Sequence, residues 1–447
     1  MNDIRVYIDT VGCYKNVEDS ERAAGLLEAA GYSIAVSPDM ADVILVNTCG
    51  FIEDAKRESI ERILELTGHK DRGAKLVISG CLSQRYPGEI FDEIPEADAV
   101  IGVNEYGSLP EIIDGILGGA VVGSATPRIM KADSEPAVLT GERKLLSPGA
   151  TAFLKVAEGC DNRCSYCAIP MIRGPYRSVP MESLVIEAGS LIRTGVREIV
   201  LIAQDVSAYG FDIYGCYALP ELLKMLVDDD TSVPDWIRLM YCYEERVTDE
   251  LIEAIACHDS VCKYIDIPLQ HISDSVLAQM GRRSTRQSIE GTITKLRAAV
   301  PGIAIRTTFM TGFPGETEDD FAELMDFVNE YRFERLGVFA YSPEDGTVSA
   351  GMPSQVPREI AEERRDALML TQTGISLEAN RSFIGRALTV LVEDREDAST
   401  FVGRTEYDAP EIDGSVIFSA PPDTSLGTFV KVIITDAMDY DLVGETV

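Results

Sequence analysis

Apolar residues along this 447-residue chain change period several times, and the changes divide it. Over roughly the first 120 residues, short apolar runs (RVYID, DVILVN, KLVISG) alternate with amphipathic stretches such as NVEDSERAAGLLEAAGY and EDAKRESIERILELT. Strands separated by helical crossovers predict parallel pairing in a doubly wound α/β sheet. Residues 124–145 lose the period and carry Pro, Ser and Gly, which predicts a linker. Six further strand candidates follow: AFLKVAEG, REIVLIA, WIRLMY, KYIDIPL, IAIRTTFM and RLGVFAY. Helical patterns such as PMESLVIEAGSLIRTG and ETEDDFAELMDFVNEYR separate them. That count predicts an open barrel of six β/α units, with any active site at the carboxyl ends of its strands. A helical connector, PREIAEERRDALMLTQTGISLEANRSFIG, leads to a segment of alternating pattern (ALTVLVEDR, TFVKVIITDAM). This last part predicts a small five-stranded β-barrel. The expected division is 1–123, a linker at 124–145, 146–375 and 378–447.

Composition adds constraints to this outline. No apolar run is long enough to span a bilayer, and the first residues lack a basic segment followed by an apolar one. A cytoplasmic protein without a membrane partner is expected. Ten cysteines in such a chain point to metal or redox chemistry rather than disulfides. The net charge of −34 weighs against broad nucleic-acid binding and favours a basic partner, although an acidic surface also simply confers solubility. From Arg381 onward there are five basic and thirteen acidic residues.

The cysteines supply the chemistry. In EGCDNRCSYCAIP, Cys160, Cys164 and Cys167 form CxxxCxxC, with no fourth Cys or His nearby. Structural zinc takes four protein ligands, whereas three thiolates on a four-iron cluster leave one iron open. The loop follows the first barrel strand, which places it at the barrel mouth. In the N-terminal part Cys13, Cys49 and Cys81 each follow a strand. Parallel strands end along one sheet edge, so these thiols are expected to converge on a second cluster, although any one alone reads as a small core residue. Cys216, Cys242, Cys257 and Cys262 show no ligand spacing and are expected in the core. Gln204 and Asp205 end the second barrel strand, where they could bind a ribose or amino-acid group. Arg306, in the fifth strand, could pair a substrate carboxylate or form a structural ion pair. Gly312 and Gly315 in TGFPGETEDDF allow a close backbone approach, a wall for a cofactor or an ordinary turn. Thr317 and Asp320 beside them have capping-box spacing. His271 is a lone histidine, a type more often structural than catalytic. No GxGxxG or Walker-type loop is present, which weighs against nucleotide hydrolysis.

With both cysteine trios, the whole chain resembles the methylthiotransferases of the radical S-adenosylmethionine class, in which an aromatic such as Tyr166 typically precedes the last cysteine. NTCGFIEDAKRESI, IPLQHISD, RTTFMTGFPGETEDDF, GVFAYSPEDGT and YDAPEIDG resemble the RimO-type, ribosomal-protein branch; YCYEERV departs from it by lacking a proline after the second tyrosine. The resemblance implies two 4Fe–4S clusters, on Cys160, Cys164 and Cys167 and on Cys13, Cys49 and Cys81. It implies S-adenosylmethionine held near Tyr166, Gln204, Asp205, Arg306, Gly312 and Gly315, and a C-terminal barrel of TRAM type. The implied reaction is methylthiolation of the β-carbon of an aspartate in ribosomal protein S twelve. One S-adenosylmethionine gives a 5′-deoxyadenosyl radical, a second gives the methyl group, and the second cluster presents sulfur. An electron donor such as flavodoxin or ferredoxin is implied. Two alternatives stay open: a tRNA methylthiotransferase, against which the acidic C-terminal segment argues, and a non-catalytic iron–sulfur scaffold.

Overall fold

The computed structural model describes residues 4–118, 128–136, 140–141, 143–147, 149–228 and 233–447. Its first layer is a parallel sheet of β1 (Arg5–Thr10), β2 (Ser33–Ile34), β3 (Val43–Thr48), β4 (Lys75–Gly80), β5 (Ala99–Ile101) and β6 (Ile129–Lys131). The strand order is β2-β1-β3-β4-β5-β6, with every pairing parallel. All six residues of β3 are buried, because helices cover both faces of the sheet. Ala23, Ala24 and Leu27 of one helix pack on one face with Leu109, Ile112 and Ile113; Ile63, Leu66 and Ile90 pack on the other. β6 lies inside the stretch expected to be a linker and pairs with β5 through three residues. Three residues are too few to set a period, so the strand left no pattern in the sequence. Residues 124–127, 137–139 and 142 of that stretch lie outside the described residues.

The second layer is an open parallel sheet of six strands. After β7 (Thr151–Lys155) comes a small hairpin, β8 (Ala157–Glu158) with β9 (Arg177–Ser178). There follow β10 (Glu198–Ile202), β11 (Trp236–Leu239), β12 (Val261–Asp266), β13 (Ala304–Thr311) and β14 (Arg335–Ala340), in the order β7-β10-β11-β12-β13-β14. Each of the six strand candidates is present. Outward side chains (Ile199, Leu201, Ile237, Leu239, Ile265, Ile305) join the helices in the largest apolar cluster. Thr317 and Asp320 form the expected capping box at the start of the helix Glu318–Tyr331.

A 24-residue helix, Arg358–Arg381, leads to the C-terminal barrel. That barrel is closed, in the order β15 (Ala387–Arg395), β16 (Thr400–Arg404), β17 (Val416–Ser419), β19 (Leu442–Thr446), β18 (Phe429–Ala437). Its segment 404–413 lies against the inward face of the open sheet. There Arg335 pairs with Asp408, Arg306 with Asp266 and Asp413, and Arg238 and Arg404 both meet Glu198.

Cys242 and Cys262 are buried as expected, whereas Cys216 and Cys257 are exposed. Cys216 follows the left-handed Gly215 in a surface turn, and Cys257 ends the helix Asp249–Cys257, where no layer covers it.

Candidate active site

The CxxxCxxC loop leaves β8 through Gly159, whose φ of +80° and packing both require glycine; a Cβ there would lie 2.0 Å from the Pro175 carbonyl oxygen. Backbone amides brace the loop: Cys160 N donates to Gly174 O (3.1 Å), and Ser165 N donates to Met280 O (2.8 Å). Cys160 and Cys164 are buried and Cys167 is half-buried. The Tyr243 hydroxyl stands 3.4 Å from Cys164 Sγ, and the Arg282 guanidinium lies 4.2 Å from the centre of the Tyr243 ring. Burial pushes the Cys160 thiol up to about 11 and the Cys167 thiol up to about 12, with the nearby Cys164 adding to both. Such thiols stay protonated and inert unless a metal displaces the proton.

The second trio stands at the carboxyl edge of the N-terminal sheet. Cys13 is the N-cap of the helix Tyr14–Ala29, Cys49 follows β3, and Cys81 begins the helix Cys81–Arg85 after β4. A Cβ on Gly12 (φ +107°) would fall 2.7 Å from Cys49 Cβ and 3.2 Å from its sulfur, so two of the three loops touch. Burial, then the neighbouring Cys81 and Cys13, push the Cys49 thiol up to about 12.

Buried charges join this trio to the barrel. Arg173, six residues beyond Cys167, reaches from the barrel into the N-terminal sheet. It donates to Cys81 Sγ (3.2 Å), Asn16 Oδ1 (2.9 Å), Asp19 (2.7 Å) and Glu158 (3.1 Å). Lys155 closes the network on Glu18, Asp19 and Glu158. With every member almost fully buried, loss of one partner would strand another charge at a cost of about 3–5 kcal/mol. Lys15 stands apart, its ammonium 3.3 Å from the centre of the Tyr241 ring. Burial presses its pKa below the usual lysine value.

The other expected site residues divide. Gln204 donates to Glu158 (2.8 Å) while its Oε1 is buried without a partner among the described residues, an acceptor left for a ligand. Tyr166 packs edge-on to Phe313 beside the cysteine loop. Asp205 is saturated by Asn162, Ser207, the Ala208 amide and Arg246, so it stiffens the loop around Asn162. Arg306 is committed to Asp266 (2.8 Å) and Asp413 (3.4 Å). The space beside Gly312 is filled by Ala361 of the connector helix, 2.1 Å from where a Cβ would stand, and that beside Gly315 by Gln279. These two glycines serve packing. His271 is wholly buried, accepting from the Ser273 amide on Nδ1. Sequence reasoning missed Arg173, Tyr243, Arg282 and Lys15. All lie within a few residues of a quoted motif, but only the folded chain shows which of them turn toward the thiols.

Residues 5–102 match the family described as "Uncharacterized protein family UPF0004", residues 154–328 the radical SAM superfamily, and residues 384–447 the TRAM domain. The protein named ribosomal protein uS12 methylthiotransferase RimO from Desulforamulus reducens is 46% identical over 440 residues, 98% of each chain. Its namesake from Lachnoclostridium phytofermentans is 45% identical over 445 residues, 99% of each chain. The chain belongs to the RimO family of methylthiotransferases. Among solved structures, the radical S-adenosylmethionine methyltransferase TsrM from Kitasatospora setae superposes with a TM-score of 0.56 at 17% identity, covering 75% of this chain and 72% of that one. The cobalamin-dependent S-adenosylmethionine radical enzyme OxsB gives 0.51 at 13% identity, covering 84% and 56%. These two share the fold.

Membership of the radical SAM superfamily implies a 4Fe–4S cluster and S-adenosylmethionine. The residues fit that pair. Among the described residues no three Cys, His, Asp or Glu side chains are gathered for a single metal ion. Three thiols on a braced loop are the donor set of a cluster with one open iron. The unpartnered Gln204 oxygen lies at the end of the neighbouring strand.

Proposed function

We propose that this chain methylthiolates ribosomal protein uS12 at the β-carbon of an aspartate. In this reading Cys160, Cys164 and Cys167 hold the first cluster within residues 146–375, and Cys13, Cys49 and Cys81 hold a second within residues 1–123. Residues 378–447 face the ribosomal protein, and a flavodoxin- or ferredoxin-class protein supplies electrons. The observation that carries the reading is the buried charge network that ties Cys81 of the N-terminal trio to Glu158 at the start of the barrel's cysteine loop, in a chain that RimO relatives match over nearly its full length.

When bound, the cofactors supply radical cleavage of S-adenosylmethionine and a sulfur for transfer, chemistry that no side chain provides. The chain's own residues position and shield. Arg173 places its positive charge on Cys81 and ties that strand end to Glu158 at the barrel mouth. Glu158 in turn orients Gln204, leaving Oε1 to accept from the amino or ribose groups of the cofactor. Tyr243 and Arg282 cover Cys164 and keep water from the barrel trio. Asp205 fixes Asn162 inside the cysteine loop without taking part in the chemistry.

The test is product analysis by mass spectrometry. Anaerobically purified enzyme, reductant and S-adenosylmethionine are incubated with a uS12 peptide or with unmodified tRNA. Replacement of one aspartate hydrogen by a methylthio group in the peptide is the expected result. Modification of the tRNA alone would reverse the substrate assignment, and absence of 5′-deoxyadenosine would leave only a scaffold.

A further inference from the structure

Lys15 is a charged group that none of the contacts above employs. It is the second residue of the helix Tyr14–Ala29, two places after Cys13, and it is only 9% exposed. Among the described residues no carboxylate lies within ion-pairing distance of it; its close partner is the face of Tyr241. Removing an ammonium from water is costly, and a π face returns only part of that. The other cations here are compensated: Lys155 has three carboxylates and Arg173 has two. Lys15 is the one without a carboxylate partner among the described residues.

Its surroundings show where an anion would come from. Tyr241 follows β11 with a φ of +58°, in the left-handed region that a bulky residue rarely adopts. Its amide donates to Asp266 Oδ2 at 3.0 Å, which fixes the turn. Backbone held in such a conformation concentrates at functional sites. Two residues on, Tyr243 touches Cys164 of the barrel trio. The turn Tyr241–Tyr243 is therefore in contact with the barrel trio at one end and with Lys15, beside Cys13, at the other. An anion reaching Lys15 stands between the two sets of thiols.

We propose that Lys15 binds the side-chain carboxylate of the substrate aspartate and so holds its β-carbon between the two cysteine trios. The inference rests on the uS12 reading above and adds the residue that selects an acidic side chain. The carboxylate carbon is bonded directly to the β-carbon, so one charge-assisted hydrogen bond restricts the atom to be modified. The same lysine rejects a neutral substrate. An asparagine or an adenine base would leave the buried ammonium without its carboxylate partner, and unmatched buried polar groups discriminate strongly.

The test measures binding of uS12 peptides carrying Asp or Asn at the modified position. Fluorescence anisotropy is recorded anaerobically with S-adenosylmethionine present, on wild type, Lys15→Met and Lys15→Arg, with iron content determined first. Wild type should bind the Asp peptide about ten- to a hundredfold more tightly than the Asn peptide. Lys15→Met should retain its iron and bind the two peptides equally and weakly, while Lys15→Arg keeps part of the preference. Equal affinity of wild type for the two peptides overturns the proposal, as does a Lys15→Met enzyme that still prefers Asp. Should Lys15→Met lose iron, the wild-type comparison and Lys15→Arg decide. Failure of wild type to bind or modify the Asp peptide overturns the uS12 reading itself, and this inference falls with it.

Discussion

Gly12 has no side chain to offer, yet the N-terminal thiols depend on it. Its φ of +107° is hostile to any other residue, and the space its Cβ would take is held by Cys49. Gly12→Ala should therefore spread the Cys13 and Cys49 loops without touching the barrel, and reduce iron from about eight to about four per chain. Iron analysis of anaerobically purified protein reads this directly; full iron would mean the loops are not cluster ligands. Ala at Cys13, Cys49 and Cys81 together should give the same iron loss and abolish methylthiolated product, while 5′-deoxyadenosine is still made. Ala at Cys160, Cys164 and Cys167 should stop cofactor cleavage as well. The thiols were legible in the sequence because spacing and position after strands are one-dimensional facts. Arg173 and Lys15 were not, since what distinguishes them is a buried partner, or its absence, on another domain.

Among elements, the segment 404–413 shows how the C-terminal barrel is fastened to the open sheet. Its Asp408 and Asp413 are neutralised by Arg335 and Arg306 of the open sheet, and Arg404 enters the sheet to meet Glu198. Glu198, the first residue of β10, is wholly buried between Arg404 and Arg238. Burial alone would raise its pKa, but the two guanidiniums outweigh that and hold it down at about 2, against an ordinary 4.5. A depressed carboxyl contributes stability above its ordinary value and loses it as pH falls toward the folded one. Glu198→Gln should therefore destabilise the docked C-terminal barrel by about 3–5 kcal/mol at neutral pH. The difference from wild type, followed by urea unfolding, should shrink as pH drops from about 5 to about 3. A difference independent of pH would mean that packing, not the ion pairs, holds the barrel in place. The strands themselves were easy to read, since their apolar runs alternate with helical periods over the whole chain. The three-residue β6 was not, and neither was the commitment of Arg306 to a second domain.

At the scale of the molecule the question is which part of the acidic excess can meet a basic partner. Of the thirteen carboxylates after Arg381, Asp408 and Asp413 are consumed inside, and Glu393 pairs with Arg404. Asp397 accepts from the Ser399 and Thr400 amides and so builds the β15–β16 turn, which makes it a poor choice for substitution. Asp394, Glu396 and Asp423 are among the carboxylates that remain exposed, with no basic side chain paired to them among the described residues. Opposite fields speed the encounter of charged partners and are screened over about 8 Å at physiological salt. Binding of full-length uS12 should therefore weaken as salt rises. Asp394→Lys, Glu396→Lys and Asp423→Lys combined should weaken it further at low salt, chiefly by slowing association. Cleavage of S-adenosylmethionine without substrate should be unchanged, since no cysteine lies in the C-terminal barrel. Stopped-flow association at low and high salt separates the outcomes. If the reversed enzyme associates as fast as wild type at low salt, these carboxylates only keep the protein dissolved. Recognition would then rest on contacts near the two cysteine trios.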